Sequence, residues 1–355
     1  MGFRRRFPLE LALFSLWTAS ALNLACFRAN AQDALRAAHE QQAIDKAGQS
    51  EDAHQIGPAI DLYKKANKLA GGRCVVCLSH LASLYQKEGD NKHAAESAAQ
   101  LEQVVTRPDD KATAAMMEGS ALLRQATSIR KRALFQQADA QFKLALQYEP
   151  SAVQALFLDG LALGRMGEDA AARNAFARYA ASGQADPIMK ARARRYLQDI
   201  ALVRQTMAPA FSIRTLQGNI LNLDNLQGRV VLLDFWATWN DPSVQDLPRI
   251  QQIVRMFQGQ PLVVLSVSLD TDQSKWRNFV AQHDMNWPQF WDQGAVMANT
   301  FGVRALPQYF IIDARGVLAP VDVMRGADMA GILKKMVAQA RRAEEQPVVN
   351  PNAAK

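Results

Sequence analysis

Cysteine is almost missing from this chain of 355 residues, which has three, at positions 26, 74 and 77. So few exclude a scaffold stapled by several disulfides and a zinc centre built from two cysteine pairs. Long apolar runs are missing after the first 31 residues, so no later segment is long and apolar enough to span a membrane. A focused basic patch is missing too, although the formal net charge is +7. Removal of residues 1–31 would take away Arg4, Arg5, Arg6, Arg28 and the one acid Glu10, which lowers that charge to +4. The remaining clusters, Arg130-Lys131-Arg132 and Arg192, Arg194 and Arg195, read as solvated helix faces rather than a nucleic-acid footprint. What is present is globular: 49% apolar and 21% charged residues, in a length that fills two ordinary domains.

The first 31 residues read as an address. Three arginines precede the apolar stretch LELALFSLWTASALNLA, and Ala29-Asn30-Ala31 places small residues where a signal peptidase cleaves. A cleaved secretory signal is the favoured reading. An uncleaved anchor and a lipoprotein joined at Cys26 are the alternatives. The expected location is the periplasm or cell envelope.

From 33 to 204 the sequence is rich in Ala, Leu, Gln, Lys and Arg, with helical periodicity. Residues 32–55 read as a helical or linker segment. In 56–205 a pattern recurs. Ala138, Phe142, Ala145 and Pro150 stand at offsets 0, 4, 7 and 12, and Gly160, Gly167, Ala172 and Phe176 keep that register. Leu81, Ala82, Tyr85, Gly89 and Ala94 form a looser upstream unit. These residues resemble tetratricopeptide (TPR) repeats, in which small residues let paired helices approach and aromatics fill the gap between hairpins. The stretch 111–135 departs from the pattern as a lengthened helix pair, and 190–205 reads as a solvating cap helix. The resemblance implies a concave face that binds a peptide or protein partner and performs no chemistry itself.

Within this array lies GGRCVVCLSH. Cys74 and Cys77 fall in the first turn of a helix, where the helix dipole favours thiolate. Three readings stand: a structural disulfide, a redox-active pair, and a metal site with His80 as third ligand. Covalent c-type haem is excluded, because Leu78 follows Cys77 where that motif needs histidine.

After residue 206 strands alternate with helices: VVLLDF, a helix from about Ser243, LVVLSVSLD, a helix over 275–284, WPQFW, a short helix, LPQYFIID, VLAPVDV and a last helix from about 328. The expected fold class is helical repeats followed by an α/β domain with a mixed sheet flanked by helices, at 206–343. Residues 344–355 are expected to be a flexible tail.

The words of this domain, from APAF through FWATW, DLP and GVRALPQYFIIDARG, resemble the exported thioredoxin-like thiol–disulfide oxidoreductases of the TlpA/ResA type. In that family WATW is followed by C-x-P-C. Here Asn240 and Ser243 stand in place of the cysteines, while Pro242, Asp246 and Pro248 remain. Thiol–disulfide exchange and peroxide reduction both begin with a thiolate, so the resemblance implies a degenerate redox site with no catalytic residue. Ser243 has no histidine in its motif to activate it, and Ser243, Asp241 or Asn240 reads as a helix cap. The resemblance also implies that Asp234 is the buried acid of the site and Leu306-Pro307 its cis-proline loop. Gln308 and Ala305 depart from the family's usual Thr and Gly there. Trp236, Trp239, Pro307 and Tyr309 read equally as an apolar groove for an extended polypeptide or as core and rim. No metal and no cofactor are expected. The function expected is a redox-inactive binding or scaffold protein; the alternative is an oxidoreductase, or an accessory of envelope redox homeostasis, that uses Cys74-Cys77.

Overall fold

The computed structural model describes residues 33–320 and 328–345. The proposed signal, and Cys26 with it, lies outside them. By internal contacts the chain forms two compact units, 1–162 and 163–355. The boundary at 205/206 drawn from sequence falls inside the second.

The first unit is helical: α1 (33–52), α2 (Ile56–Leu69), α3 (Val75–Glu88), α4 (Asn91–Val104), α5 (Pro108–Ile129) and α6 (Arg132–Tyr148). From α2 to α6 each helix packs against the next, which fits a repeat array. Most of the small and aromatic residues that carried the pattern are buried, among them Ala82, Ala94, Ala138, Phe142 and Ala145, whereas the turn glycines Gly89 and Gly167 are exposed. The lengthened pair is α5 and α6. At Gly119 a methyl group would lie 2.7 Å from the Phe142 ring, so only glycine lets these helices come this close. Pro108 opens α5, with Asp109 and Asp110 in its first turn, where missing N–H donors and negative charge are both favourable.

Helix α7 (Gln154–Met166) runs across the division. The second unit continues with α8 (Asp169–Ala181), α9 (Pro187–Gln198) and a 3₁₀ turn at Ile200–Arg204. Here one expectation fails. Arg192 and Arg195 are buried, and only Arg194 is exposed. Their guanidinium groups converge on the buried Asp224, at 2.9 Å from Arg192 and 3.2 Å from Arg195. Arg192 also donates to the Ala208 carbonyl at 2.9 Å. The segment is a docked helix rather than a solvating cap, because a carboxylate about thirty residues along the chain pairs with both arginines. Gly316 sits against Arg195 with φ +85°, where a side chain would meet both strain and the guanidinium.

The sheet has order β5-β4-β3-β6: β3 (Val230–Trp236), β4 (Leu262–Ser268) and β5 (Gln289–Trp291) are parallel, and β6 (Gln308–Ile312) is antiparallel to β3. A separate hairpin pairs β1 (Ser212–Arg214) with β2 (Ile220–Asn222). Every residue of β3 is buried, as a central strand covered on both faces must be. Val230, Leu232 and Trp236 pack with α10 (Asp241–Met256), α11 (Gln273–Gln282) and the last helix α13 (Met329–Glu345). Val231, Leu233 and Phe235 face Phe211, Leu223 and α12 (Val296–Phe301). The predicted strand at VLAPVDV (317–323) is present among the described residues only as bridges at Val317 and Leu318; its end, 321–323, lies outside them. Glu344 and Glu345, assigned to a flexible tail, are helical; the rest of that tail is not described.

Candidate functional site

The loop between β3 and α10 is held from below. Asp270, buried beyond the end of β4, accepts the Thr238 N–H at 3.1 Å and its hydroxyl at 2.6 Å. The Ser268 hydroxyl adds a third bond at 2.7 Å. Sequence reasoning missed Asp270; its place just past an apolar strand, level with the motif, was the available signal. This clamp leaves Trp239 at the tip, 62% exposed.

Asn240 then caps α10. Its side-chain oxygen accepts the Ser243 N–H at 3.0 Å and the Ser243 hydroxyl at 2.7 Å. Of the three cap candidates Asn240 takes the role, Asp241 lies in the first turn, and Ser243 is buried with its proton committed to Asn240. Among the described residues no base accepts that hydroxyl, whose bond goes to Asn240, and Asp246 is occupied elsewhere: Arg249 donates to it at 2.6 Å, and the Tyr309 hydroxyl donates to the same oxygen. Asp241 and Pro242 are exposed.

Beneath this turn a polar row crosses the sheet. Register places Gln289, Ser266, Asp234 and Tyr309 side by side on β5, β4, β3 and β6. The Trp287 indole N–H donates to the Ser266 hydroxyl at 2.9 Å, and Ser266 donates to Asp234 at 2.8 Å. Burial pushes the Asp234 carboxyl up to about 7; the Ser266 bond opposes this and the Asp246 charge adds to it. Burial, with both aspartates near, also raises Tyr309. Arg249 lies 5.1 Å over the Tyr309 ring and supplies the positive charge that lets two acids share the region.

The Leu306-Pro307 bond is cis. Gln308 turns back on this loop, and its side-chain oxygen accepts the Arg304 N–H at 3.1 Å. Of the four residues read as a groove, Trp236 is core, packed against Phe279 with ring centroids 5.4 Å apart. It is unable to line a surface. Pro307 and Tyr309 are half-buried and Trp239 is exposed.

In the helical unit Cys74 and Cys77 are joined by a disulfide. The metal reading is not realised here: the sulfurs are bonded to each other, and the His80 Nδ1–H donates to Glu51 at 2.8 Å.

Residues 205–321 match the sequence profile of the AhpC/TSA family. The thiol-disulfide oxidoreductase ResA of Bacillus cereus is 30% identical over 109 residues, 31% of this chain and 63% of that protein. The thioredoxin-like protein YneN of Bacillus subtilis (strain 168) is 29% identical over 129 residues, 36% of this chain and 75% of that protein. Among solved structures, a thiol-disulfide oxidoreductase from Bacteroides fragilis NCTC 9343 aligns with TM-score 0.34 and 24% identity, over 36% of this chain and 98% of that one. The chain thus spans somewhat under two thirds of the ResA protein's length, through its C-terminal part alone. That part is a thioredoxin-like domain of the AhpC/TSA kind with ResA-type relatives, preceded by a helical region.

Proposed function

We propose that this is an exported binding or scaffold protein in which TPR-type repeats and a redox-inactive thioredoxin-like domain each engage polypeptide. The observation that carries the reading is the Asn240–Ser243 pair. Where exchange would need a nucleophilic sulfur, an amide oxygen accepts both donors of Ser243 and holds the helix start closed. Around that turn, the exposed Trp239 and the half-buried Pro307 offer apolar contact beside backbone groups, the elements by which an extended chain is held. Export is supported by the leader-like first 31 residues and by the Cys74–Cys77 disulfide, a bond that persists in oxidising compartments. No helix among the described residues is long and apolar enough to cross a membrane.

The test uses the whole chain carrying Cys74→Ser and Cys77→Ser. With dithiothreitol and insulin it turns over no faster than the blank, and adding Asn240→Cys with Ser243→Cys restores turnover. Turnover without those two cysteines would overturn the redox-inactive reading. Reduced, carboxymethylated insulin B chain serves as the binding probe. It shifts the fluorescence of the parent, and Trp239→Ala removes the shift; an unchanged spectrum would overturn the groove.

A further inference from the structure

We propose that Cys74–Cys77 is an exchangeable redox pair of the helical unit, with Cys74 as the sulfur that meets the partner and His80, positioned by Glu51, as the group that supplies and takes the proton.

Three observations, independent of the thioredoxin-like domain, carry this. The first is the cap. Cys74 stands at the N-cap of α3, and its sulfur accepts the Cys77 N–H at 3.1 Å. That N–H, with the helix dipole, stabilises negative charge on Cys74 once the bond is opened. Asn67 fixes the turn from α2 by accepting the Cys74 N–H at 3.1 Å.

The second is the surface over the bridge. Cys77 is fully buried and Cys74 nearly so, with 7% of its surface open. Between them Val75 and Val76 are exposed by 44% and 50%. Two apolar side chains bared between a pair of cysteines form a contact for a thiol-bearing polypeptide segment, whereas a bridge serving only to staple the turn gains nothing from them.

The third is the imidazole. His80 lies one helical turn after Cys77, on the same side of α3. It stacks on Tyr63 at 4.7 Å, and Tyr63 belongs to the same buried cluster as Cys74 and Cys77. Because the His80 Nδ1–H donates to Glu51, the other ring nitrogen, Nε2, is left to exchange protons. Lys87 also holds Glu51, at 3.2 Å.

The reaction is a two-electron transfer from a polypeptide dithiol. One partner thiolate attacks the Cys74 sulfur and the Cys74–Cys77 bond breaks. Cys77 leaves as thiolate and takes a proton from protonated His80, so that a mixed disulfide joins partner and Cys74. The partner's second thiolate then attacks its own bridged sulfur and releases Cys74 as a thiolate held by the Cys77 N–H. The partner ends as a disulfide, the protein as a Cys77 thiol and a Cys74 thiolate, and the partner's second thiol proton returns to His80.

The experiment places the whole native chain in mixtures of reduced and oxidised dithiothreitol. Thiols are trapped with N-ethylmaleimide, and the peptide carrying both cysteines is read by mass while circular dichroism follows the helices. The pair is expected to equilibrate with the helical signal intact. Oxidised glutathione should capture Cys74 in Cys77→Ser and fail to capture Cys77 in Cys74→Ser. Reduction of His80→Gln should be slower by about tenfold or more, as loss of a positioned proton-transfer group produces. A bridge that opens only after unfolding would overturn the proposal. Equal capture of the two cysteines would overturn the choice of Cys74, and an unchanged rate in His80→Gln would overturn the role of His80. None of these outcomes bears on Asn240, so this reading and the redox-inactive thioredoxin-like domain fail separately.

Discussion

A carboxyl group between Leu232 and Trp236 on a fully buried strand pays for its charge in lost hydration, which is why Asp234 sits near 7. The sign of the resulting pH effect follows from the upward shift. Between the unfolded value near about 3.9 and the folded value the native chain holds a proton that the unfolded chain has released, so stability falls as pH rises through that window. Asp234→Asn keeps an acceptor for Ser266 and removes the titration. The variant should nearly equal the parent at pH 4 and exceed it at pH 8 by on the order of 4 kcal/mol, as read by urea unfolding. An unchanged difference between the two pH values would remove burial as the cause. At this scale the sequence was readable where a residue kept its place in a motif, as Asp234 and Pro307 did. Which side chain would cap α10 was not, since Asn240, Asp241 and Ser243 all have the chemistry and only the backbone angles choose among them.

Helix α9 shows what periodicity leaves out. Arginines at 192, 194 and 195 look alike in sequence, and two of them turn inward because Asp224 waits for them. The partner is about thirty residues away in another kind of structure, beyond the reach of any local pattern. The contrast makes a direct test. Asp224→Ala leaves two buried cations without a counter-charge and should cost about 3–5 kcal/mol in urea unfolding. Arg194→Ala on the exposed side should change stability by less than about 0.5 kcal/mol. Equal small effects would show that the ion pairs do not hold the helix. The strands and helices of the second unit were readable because alternation, apolar runs and turn residues stay within each element. The hairpin of β1 and β2 was not, being two strands of three residues each.

For the molecule as a whole, the same ion pairs set where the C-terminal part can be cut. The family resemblance begins near residue 205, but the second unit begins at 163. A fragment 163–355 should therefore unfold cooperatively, and a fragment 206–355, which leaves Asp224 buried without its arginines, should melt at a lower temperature or fail to fold. Identical melting curves in differential scanning calorimetry would refute this. Repeat spacing made the helical nature of the first unit readable, whereas the division inside α7 depends on contacts that sequence does not display. The placement of the bridge at the start of α3 has one more consequence. Cys74 and Cys77 are the only cysteines in residues 32–355, so a chain lacking its first 31 residues has a single intramolecular pairing available. Oxidative renaturation from denaturant then offers no scrambled isomers to sort, and any mispaired product is a covalent oligomer, visible on a non-reducing gel.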